Sequence, residues 1–222
     1  MNKKIILAAI AAVIFAGGAA IYTRQSAAPT MSQIVPAAGE DAAEIDTSGI
    51  VEMSLGNPDA PVTVIEYASF TCPHCADFHQ DQFQQIKESY IDTDKVHFIY
   101  REVYFDRYGL WAGMVARCGG EMRYFGIADM IFEQQKDWLG AGDPLPISQA
   151  LQKIGKTAGL TDDQLDQCLN DGDKARALYA LFQKNAEEHD ITGTPSFIIN
   201  GEKYSNMDYA KFAAVLDEKL AE

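Results

Sequence analysis

Basic residues are scarce in this sequence, which has 18 Lys and Arg against 32 Asp and Glu and a formal net charge of −14. Proteins that bind nucleic acid gain much of their affinity by neutralising phosphates with Lys and Arg. The shortage of positive charge therefore argues against nucleic acid as a partner. An acidic surface otherwise favours solubility and identifies no specific ligand.

Cysteine is also scarce, with four in 222 residues. Two of them form the motif Cys72-Pro73-His74-Cys75, whereas Cys118 and Cys168 each lack a CxxC partner. A structural zinc site needs four ligands, and one CxxC, even with His79 nearby, does not provide them. We therefore expect no metal site.

Charged residues are absent from the apolar stretch Ile5–Tyr22, which follows Lys3 and Lys4. Two lysines before an apolar core are typical of a secretory signal peptide, although about 18 apolar residues also just reach the length of a membrane-spanning helix. We predict that residues 1–24 are a signal peptide or an N-terminal membrane anchor. Either one places the rest of the chain in the periplasm or another extracytoplasmic space.

Residues 25–49 are rich in Ala, Pro, Ser and Thr and have no periodicity, which is typical of a flexible linker. Residues 50–222 are enough for one domain with a substantial core. The sequence therefore predicts a leader, a linker and one globular unit.

The CxxC motif follows the apolar segment Val62–Ser69, which predicts a buried strand that turns into a helix at Cys72. The free N–H groups and the dipole of a helix N-terminus stabilise a thiolate there. Pro73 suits the first helical turn, and an N–H group or positive charge of His74 also favours the anion. We expect the pKa of Cys72 to lie within about 3.5–7.5 and its disulfide with Cys75 to be strongly oxidising.

The remaining periodicity predicts a βαβ unit, a helical block and a closing hairpin with a helix. The CxxC motif lies at the carboxyl end of the first strand, where open α/β sheets place their chemistry. Alternation or helical spacing predicts the helix Pro73–Tyr90, the strand Val96–Glu102, helices over residues 104–173, the helix Lys174–His189, the strand Ser196–Ile199, a turn at Asn200-Gly201 and a helix from near Ser205.

With the helical block left out, this order is the thioredoxin arrangement, and the chain resembles the DsbA family of exported thiol oxidases. The resemblance covers about Met53 to Glu222 and depends on CPHC after Ser69-Phe70-Thr71 and on Gly193-Thr194-Pro195 before a strand. It implies an α/β, thioredoxin-like fold with an inserted all-helical subdomain at about 104–173. It also implies that the exposed Cys72 is the nucleophile, and that Cys75 is the buried leaving group and resolving thiol.

Pro195 resembles the cis-proline that faces the CxxC pair in thioredoxin folds. A cis peptide bond there exposes the backbone of Thr194, which can pair with an extended substrate segment. The alternative is an ordinary trans proline at the start of a strand.

Glu66 lies six residues before Cys72, in the strand beneath the motif. Family members often hold an acidic residue at this offset, and the resemblance implies that it helps to move a proton on or off Cys75. The alternative is that Glu66 faces solvent or forms a salt bridge. We expect His79 to be a surface or packing residue.

Cys118 and Cys168 both lie in the predicted insertion, and in an oxidising compartment two such cysteines are expected to pair. Some DsbA relatives have a second disulfide in this region and others do not. We predict a structural disulfide, with two buried free thiols or a second redox-active pair as the alternatives.

The resemblance implies reduced exported proteins as substrates and a quinone-linked membrane protein as the reoxidising partner. The redox-active Cys72–Cys75 disulfide replaces any cofactor, and we expect a monomer. The main alternative is a disulfide isomerase or reductase, although residues 25–49 are too short for the dimerisation module of such isomerases. A non-catalytic chaperone or binding module on the same fold is the other alternative.

Overall fold

A computed structural model describes residues 45–222, which fold around one five-stranded mixed sheet. The predicted signal peptide or anchor, residues 1–24, and most of the predicted linker lie outside the described residues. None of the helices between residues 45 and 222 combines the length and the apolar character that a bilayer crossing requires.

The sheet has the strand order β1-β3-β2-β4-β5, and β2 and β3 are its parallel pair. Two predicted strands are confirmed to the residue, and the strand before the motif ends one residue earlier than predicted. The sequence pattern does not predict β1, since three residues are too few to show alternation. The strands are β1 (Met53–Leu55), β2 (Val62–Ala68), β3 (Val96–Glu102), β4 (Ser196–Ile199) and β5 (Glu202–Ser205).

The predicted helix after the motif is one helical run with two π-helical turns in it. The segment between β3 and β4 is built from helices, as predicted. The run comprises α1 (Pro73–Phe78), a π-helical turn (His79–Phe83), α2 (Gln84–Ile86) and a second π-helical turn (Lys87–Ile91). The later helices are α3 (Arg107–Cys118), α4 (Glu121–Glu133), α5 (Gln135–Gly140), α6 (Pro144–Thr157), α7 (Asp162–Leu169), α8 (Gly172–Glu188) and α9 (Tyr209–Ala221).

Side-chain caps explain where several helices begin. Asp106 caps α3, and Thr161 and Gln164 form a capping box at α7. The prediction that the last helix begins near Ser205 is wrong: Ser205 is still paired in β5, and Asp208 is the residue that caps α9. The end of β5 and the Asp208 cap lie close together in the sequence. The boundary between strand and helix is therefore known only from the pairing of β5 with β4.

Both faces of the sheet are covered by helices. Val64 and Ala68 of β2 belong to the main core, which also holds the apolar residues of α1 and of the insertion. On the opposite face, Tyr67 and Ile198 pack against Phe182 of α8. The predicted turn at Asn200-Gly201 is confirmed, with φ values of 45° and 85° that suit a tight hairpin.

Two connections hold the insertion together and join it to the sheet. Arg117 of α3 donates two hydrogen bonds to Glu102 at the end of β3, at 2.6 and 2.7 Å, and both side chains are buried. Within the insertion, Cys118 and Cys168 form the predicted disulfide, with a Cα–Cα distance of 6.0 Å. The helical block is thus crosslinked to itself and anchored on the strand that lies beside β2.

Candidate active site

Cys72 lies where β2 gives way to α1, and it is the N-cap residue of that helix. Its backbone is extended, with φ −83° and ψ 121°, and Pro73 occupies the first helical turn as predicted. The backbone carbonyl of Cys72 accepts hydrogen bonds from the N–H groups of Cys75 and Ala76, each at 3.2 Å. The Cys72 side chain is half-buried, whereas Cys75, one turn further on, is fully buried.

The surroundings lower the pKa of Cys72 from 9.0 to about 5. The largest cause is a hydrogen bond from the Cys75 thiol, and it outweighs the opposing effect of partial burial. The Thr194 side chain and the backbone N–H groups of Cys75 and His74 add to the lowering. The side chain of His74 is itself exposed. His74 therefore contributes through its backbone.

The same surroundings raise the pKa of Cys75 far above the usual range for a thiol. Burial is the main cause, followed by the hydrogen bond to Cys72 and the negative charge of Glu66. At neutral pH one sulfur is therefore a thiolate and the other a thiol. Environments that move the pKa values of two groups apart in this way give the two groups different chemical roles.

The peptide bond between Thr194 and Pro195 is cis, as predicted. The backbone oxygen of Thr194 lies 3.5 Å from the Cys72 sulfur and accepts a hydrogen bond from it when Cys72 is a thiol. The loop is fixed on its other side, where the Ser196 hydroxyl donates to the Gly193 carbonyl at 2.7 Å. A backbone segment of the loop before β4 thus faces the reactive sulfur directly.

Glu66 points into the protein and is completely buried, so it does not face solvent. Its contact with His79 is the salt bridge that the alternative names, and its role in proton transfer stays a prediction. One of its carboxylate oxygens lies 2.9 Å from Nε2 of His79. His79 is buried as well, and its ring stacks on Phe132 with a centroid distance of 4.3 Å. His79 is therefore a packing residue, as one of the two expectations states, and it also contacts Glu66, which the sequence did not indicate. Its position four residues after Cys75, on the same face of the helical run, is the signal that could have indicated it.

The insertion supplies two further side chains to the motif that the sequence did not indicate. Gln135 of α5 is buried, and its amide nitrogen donates to the carbonyls of Phe70 at 2.8 Å and Cys72 at 2.9 Å. The Thr71 hydroxyl donates to the carboxylate of Asp106 at 2.8 Å. The loop that leads into the CxxC pair is therefore held by the helical block as well as by the sheet.

The predicted site residues fall into two groups in space. Cys72 and Cys75 lie together with Thr194, Pro195 and Glu66, whereas Cys118 and Cys168 form their disulfide within the insertion. Across residues 45–222, no group of three or more His, Cys, Asp or Glu side chains is arranged to hold a metal ion.

Comparisons with known proteins agree with this arrangement. The profile of the family described as Thioredoxin matches residues 48–218. A curated relative from Rickettsia bellii, named as a protein-disulfide oxidoreductase, is 34% identical over 172 residues, which are 77% of this chain and 65% of the relative. The chain thus spans less than two thirds of the length of that relative.

Two solved structures share the fold. Wolbachia pipientis alpha-DsbA1 has a TM-score of 0.70 and 31% identity, and the match covers 77% of this chain and 91% of that one. Oxidised BdbD from Bacillus subtilis has a TM-score of 0.67 and 22% identity, with 77% and 94% covered. The first is similar in sequence and fold, and the second in fold.

Proposed function

The chain belongs to the thioredoxin family and, within it, to the DsbA proteins, and from this premise we propose that it is a dithiol oxidase. It donates the Cys72–Cys75 disulfide to reduced proteins that fold outside the cytoplasm. The observation that carries the proposal is the difference in pKa between the two thiols: the pKa of Cys72 is about 5, while burial keeps Cys75 protonated.

The reaction takes two exchange steps. A substrate thiolate attacks the Cys72 sulfur, the Cys72–Cys75 bond breaks, and Cys75 leaves with the electron pair and takes up a proton. A second substrate thiolate then attacks the substrate sulfur of the mixed disulfide, and Cys72 leaves as a thiolate. The substrate loses two electrons and gains a disulfide, and the CxxC pair gains those electrons. No cofactor takes part.

The stability of the Cys72 thiolate favours the oxidase over the reductase or isomerase. A sulfur with a low pKa is a good leaving group, so it gives up a substrate readily and makes the disulfide strongly oxidising. The backbone of Thr194 supports the same step, because it lies beside Cys72 and can pair with an extended substrate chain.

The proposal includes an extracytoplasmic location, reduced exported proteins as substrates, a monomeric state and a quinone-linked membrane protein that reoxidises the CxxC pair. Lys3 and Lys4 before an apolar stretch support export. The Cys118–Cys168 disulfide supports an oxidising compartment. An oxidant is required because the reduced pair must lose two electrons before the next cycle, and the family resemblance supports a membrane protein in that role.

The reduction potential of the Cys72–Cys75 pair tests this function. We expect a value closer to −120 mV than to −270 mV, the potentials of a strong oxidant and of thioredoxin respectively. A value near −270 mV would reject the oxidase. A binding module is tested separately, by oxidation of a reduced unfolded protein with the wild-type chain and with Cys72→Ser. Equal effects of the two proteins would show that the sulfur is not used.

A further inference from the structure

The step that breaks the Cys72–Cys75 bond releases Cys75 inside the protein, where burial raises its pKa and a proton is needed. We propose that His79 carries this proton between solvent and Glu66, which passes it to Cys75. His79 acts on Cys75 only through Glu66, so it supports the reaction and takes no part in the exchange of sulfur bonds. The inference rests on the proposed function, since it concerns the rate of that bond cleavage.

The inner half of the path is the buried carboxylate. Glu66 is on the face of β2 that belongs to the main core, and its charge is one of the causes that raise the pKa of Cys75. One carboxylate oxygen pairs with Nε2 of His79 at 2.9 Å. The other is buried and has no hydrogen-bond partner among the described residues. Glu66 thus has one oxygen joined to His79 and one available for exchange.

The outer half of the path is the imidazole. Its Nδ1 is also buried without a hydrogen-bond partner in the described part of the chain. His79 lines a cavity of about 350 Å³ together with Asp129, Phe132 and Glu133 of α4. Gln80 and Gln84, which are exposed, line the same cavity and connect it to the surface. A cavity of this volume is large enough for water.

Carboxylates dominate the charge around His79. Glu66 faces it from β2, and Asp129 and Glu133 face it from α4 across the cavity. Tyr100 of β3 lies edge-on at 5.8 Å, and burial keeps its phenol neutral by raising its pKa.

Asp129 is also influenced by the positive charges of His79 and Lys87, which lower its pKa, although burial raises it more. An imidazole can bind and release a proton near neutral pH. In this setting acidic side chains surround the ring, and a proton that it passes on can be replaced from the cavity.

The protons balance as follows. For each disulfide that is cleaved, one proton passes from solvent through His79 to Glu66 and on to the Cys75 sulfur. Cys75 ends as a thiol, and Glu66 ends as the carboxylate that it was before. The two substrate thiols release their protons to solvent before they attack, and Cys72 leaves as a thiolate and takes none. Each oxidation of a substrate dithiol therefore releases one net proton.

The first test compares His79→Gln with His97→Gln, a matched change at a half-buried histidine of β3. Glutamine retains a hydrogen-bond donor for Glu66 but does not titrate. We measure the rate at which dithiothreitol cleaves the disulfide in the oxidised full chain between pH 5 and pH 8. General acid–base transfer contributes about 10²–10⁴-fold in enzymes, so His79→Gln should be slower by about tenfold or more. The pKa of Cys72, followed by thiolate absorbance, should not move, and His97→Gln should match the wild type.

The second test separates proton transfer from packing. In His79→Ala we add imidazole or pyrazole, which have the same ring size but differ widely in basicity. Imidazole should restore at least half of the lost rate, and pyrazole should not. Equal rescue by both rings, or a wild-type rate in His79→Gln, would overturn the relay. If wild-type protein fails to oxidise a reduced protein, the proposed function falls; if it oxidises and His79→Gln is unchanged, only the relay falls.

Discussion

The low pKa of Cys72 has a consequence for stability that can be measured without any substrate. In the reduced protein, this pKa is about 5 in the folded state and 9.0 as the reference for an unstructured chain. A lowered pKa means that the unfolded state binds more protons between these values, so the stability of the reduced form rises with pH. The contribution is complete above pH 9 and is lost as the pH falls through about 5. The oxidised form has no Cys72 thiol to titrate.

The magnitude follows from linkage. A fully coupled group contributes about 1.4 kcal/mol per pH unit within its window. Cys72 is half-buried, and solvent screening reduces such contributions, so we take about half of the full slope, or about 0.7 kcal/mol per unit. Between about pH 5.5 and pH 8.5 the free energy of unfolding of the reduced form should therefore rise by about 2 kcal/mol relative to the oxidised form.

The assay is urea unfolding of both forms over that pH range, with dithiothreitol limited so that Cys118–Cys168 stays closed. Groups that titrate alike in both forms cancel in the difference. The range ends below pH 9 because the raised pKa of Cys75 opposes the trend at higher pH. We also expect the reduced form to melt at a higher temperature than the oxidised form at pH 8.

The control is Cys72→Ser, which has no thiol to titrate at this position. Its stability relative to the oxidised wild type should not depend on pH over the same range. A reduced-minus-oxidised difference that stays constant from about pH 5.5 to pH 8.5 would refute the reasoning. It would mean that the Cys72 thiolate is no more stable in the fold than in the unfolded chain.

Two further predictions concern the framework around the site. The double variant Cys118→Ala, Cys168→Ala opens a loop with a sequence separation of 50 and should lose about 4 kcal/mol in urea unfolding while it retains most of its oxidase turnover; lost turnover in a folded variant would place this disulfide on the electron path. Arg117→Met leaves a buried carboxylate without its partner and should cost about 3–5 kcal/mol in the same assay, whereas Arg176→Met, which removes an exposed ion pair, should cost less than about 1 kcal/mol; equal losses in the two variants would contradict the argument.

The parts of the site that the sequence predicts are those encoded locally. The strand before Cys72 and the helix after it depend on short apolar patterns, and Pro73 marks the first helical turn. The cis peptide bond before Pro195 was accessible only through the family resemblance, because nothing in the loop itself distinguishes cis from trans. The position of Glu66 in an apolar strand is also local information, because a buried carboxylate is costly unless it has a partner.

The parts that the sequence does not predict depend on register between distant elements. His79 meets Glu66 because the helical run and β2 pack at one particular register, whereas the local sequence indicates only a surface or packing residue at this position. Gln135 gives no signal at all, since a glutamine in a helix is usually exposed, and its acceptors are 63 and 65 residues away in the chain. Such long-range polar contacts are decided by tertiary packing alone.

The hydrogen bond between Cys72 and Thr194 joins residues 122 apart in the chain, with the whole insertion between them. Contacts of such sequence separation form late, because the entropic cost of closing a long loop must be met before the contact can form. A nascent chain that has completed only β2 and α1 has the helix N-terminus. It lacks the contact with Thr194 and the hydrogen bonds from Gln135. The largest cause of the low pKa of Cys72, the hydrogen bond from Cys75, lies within the motif, whereas Thr194 is a distant cause. Part of the lowering of the Cys72 pKa is thus a property of the completed fold.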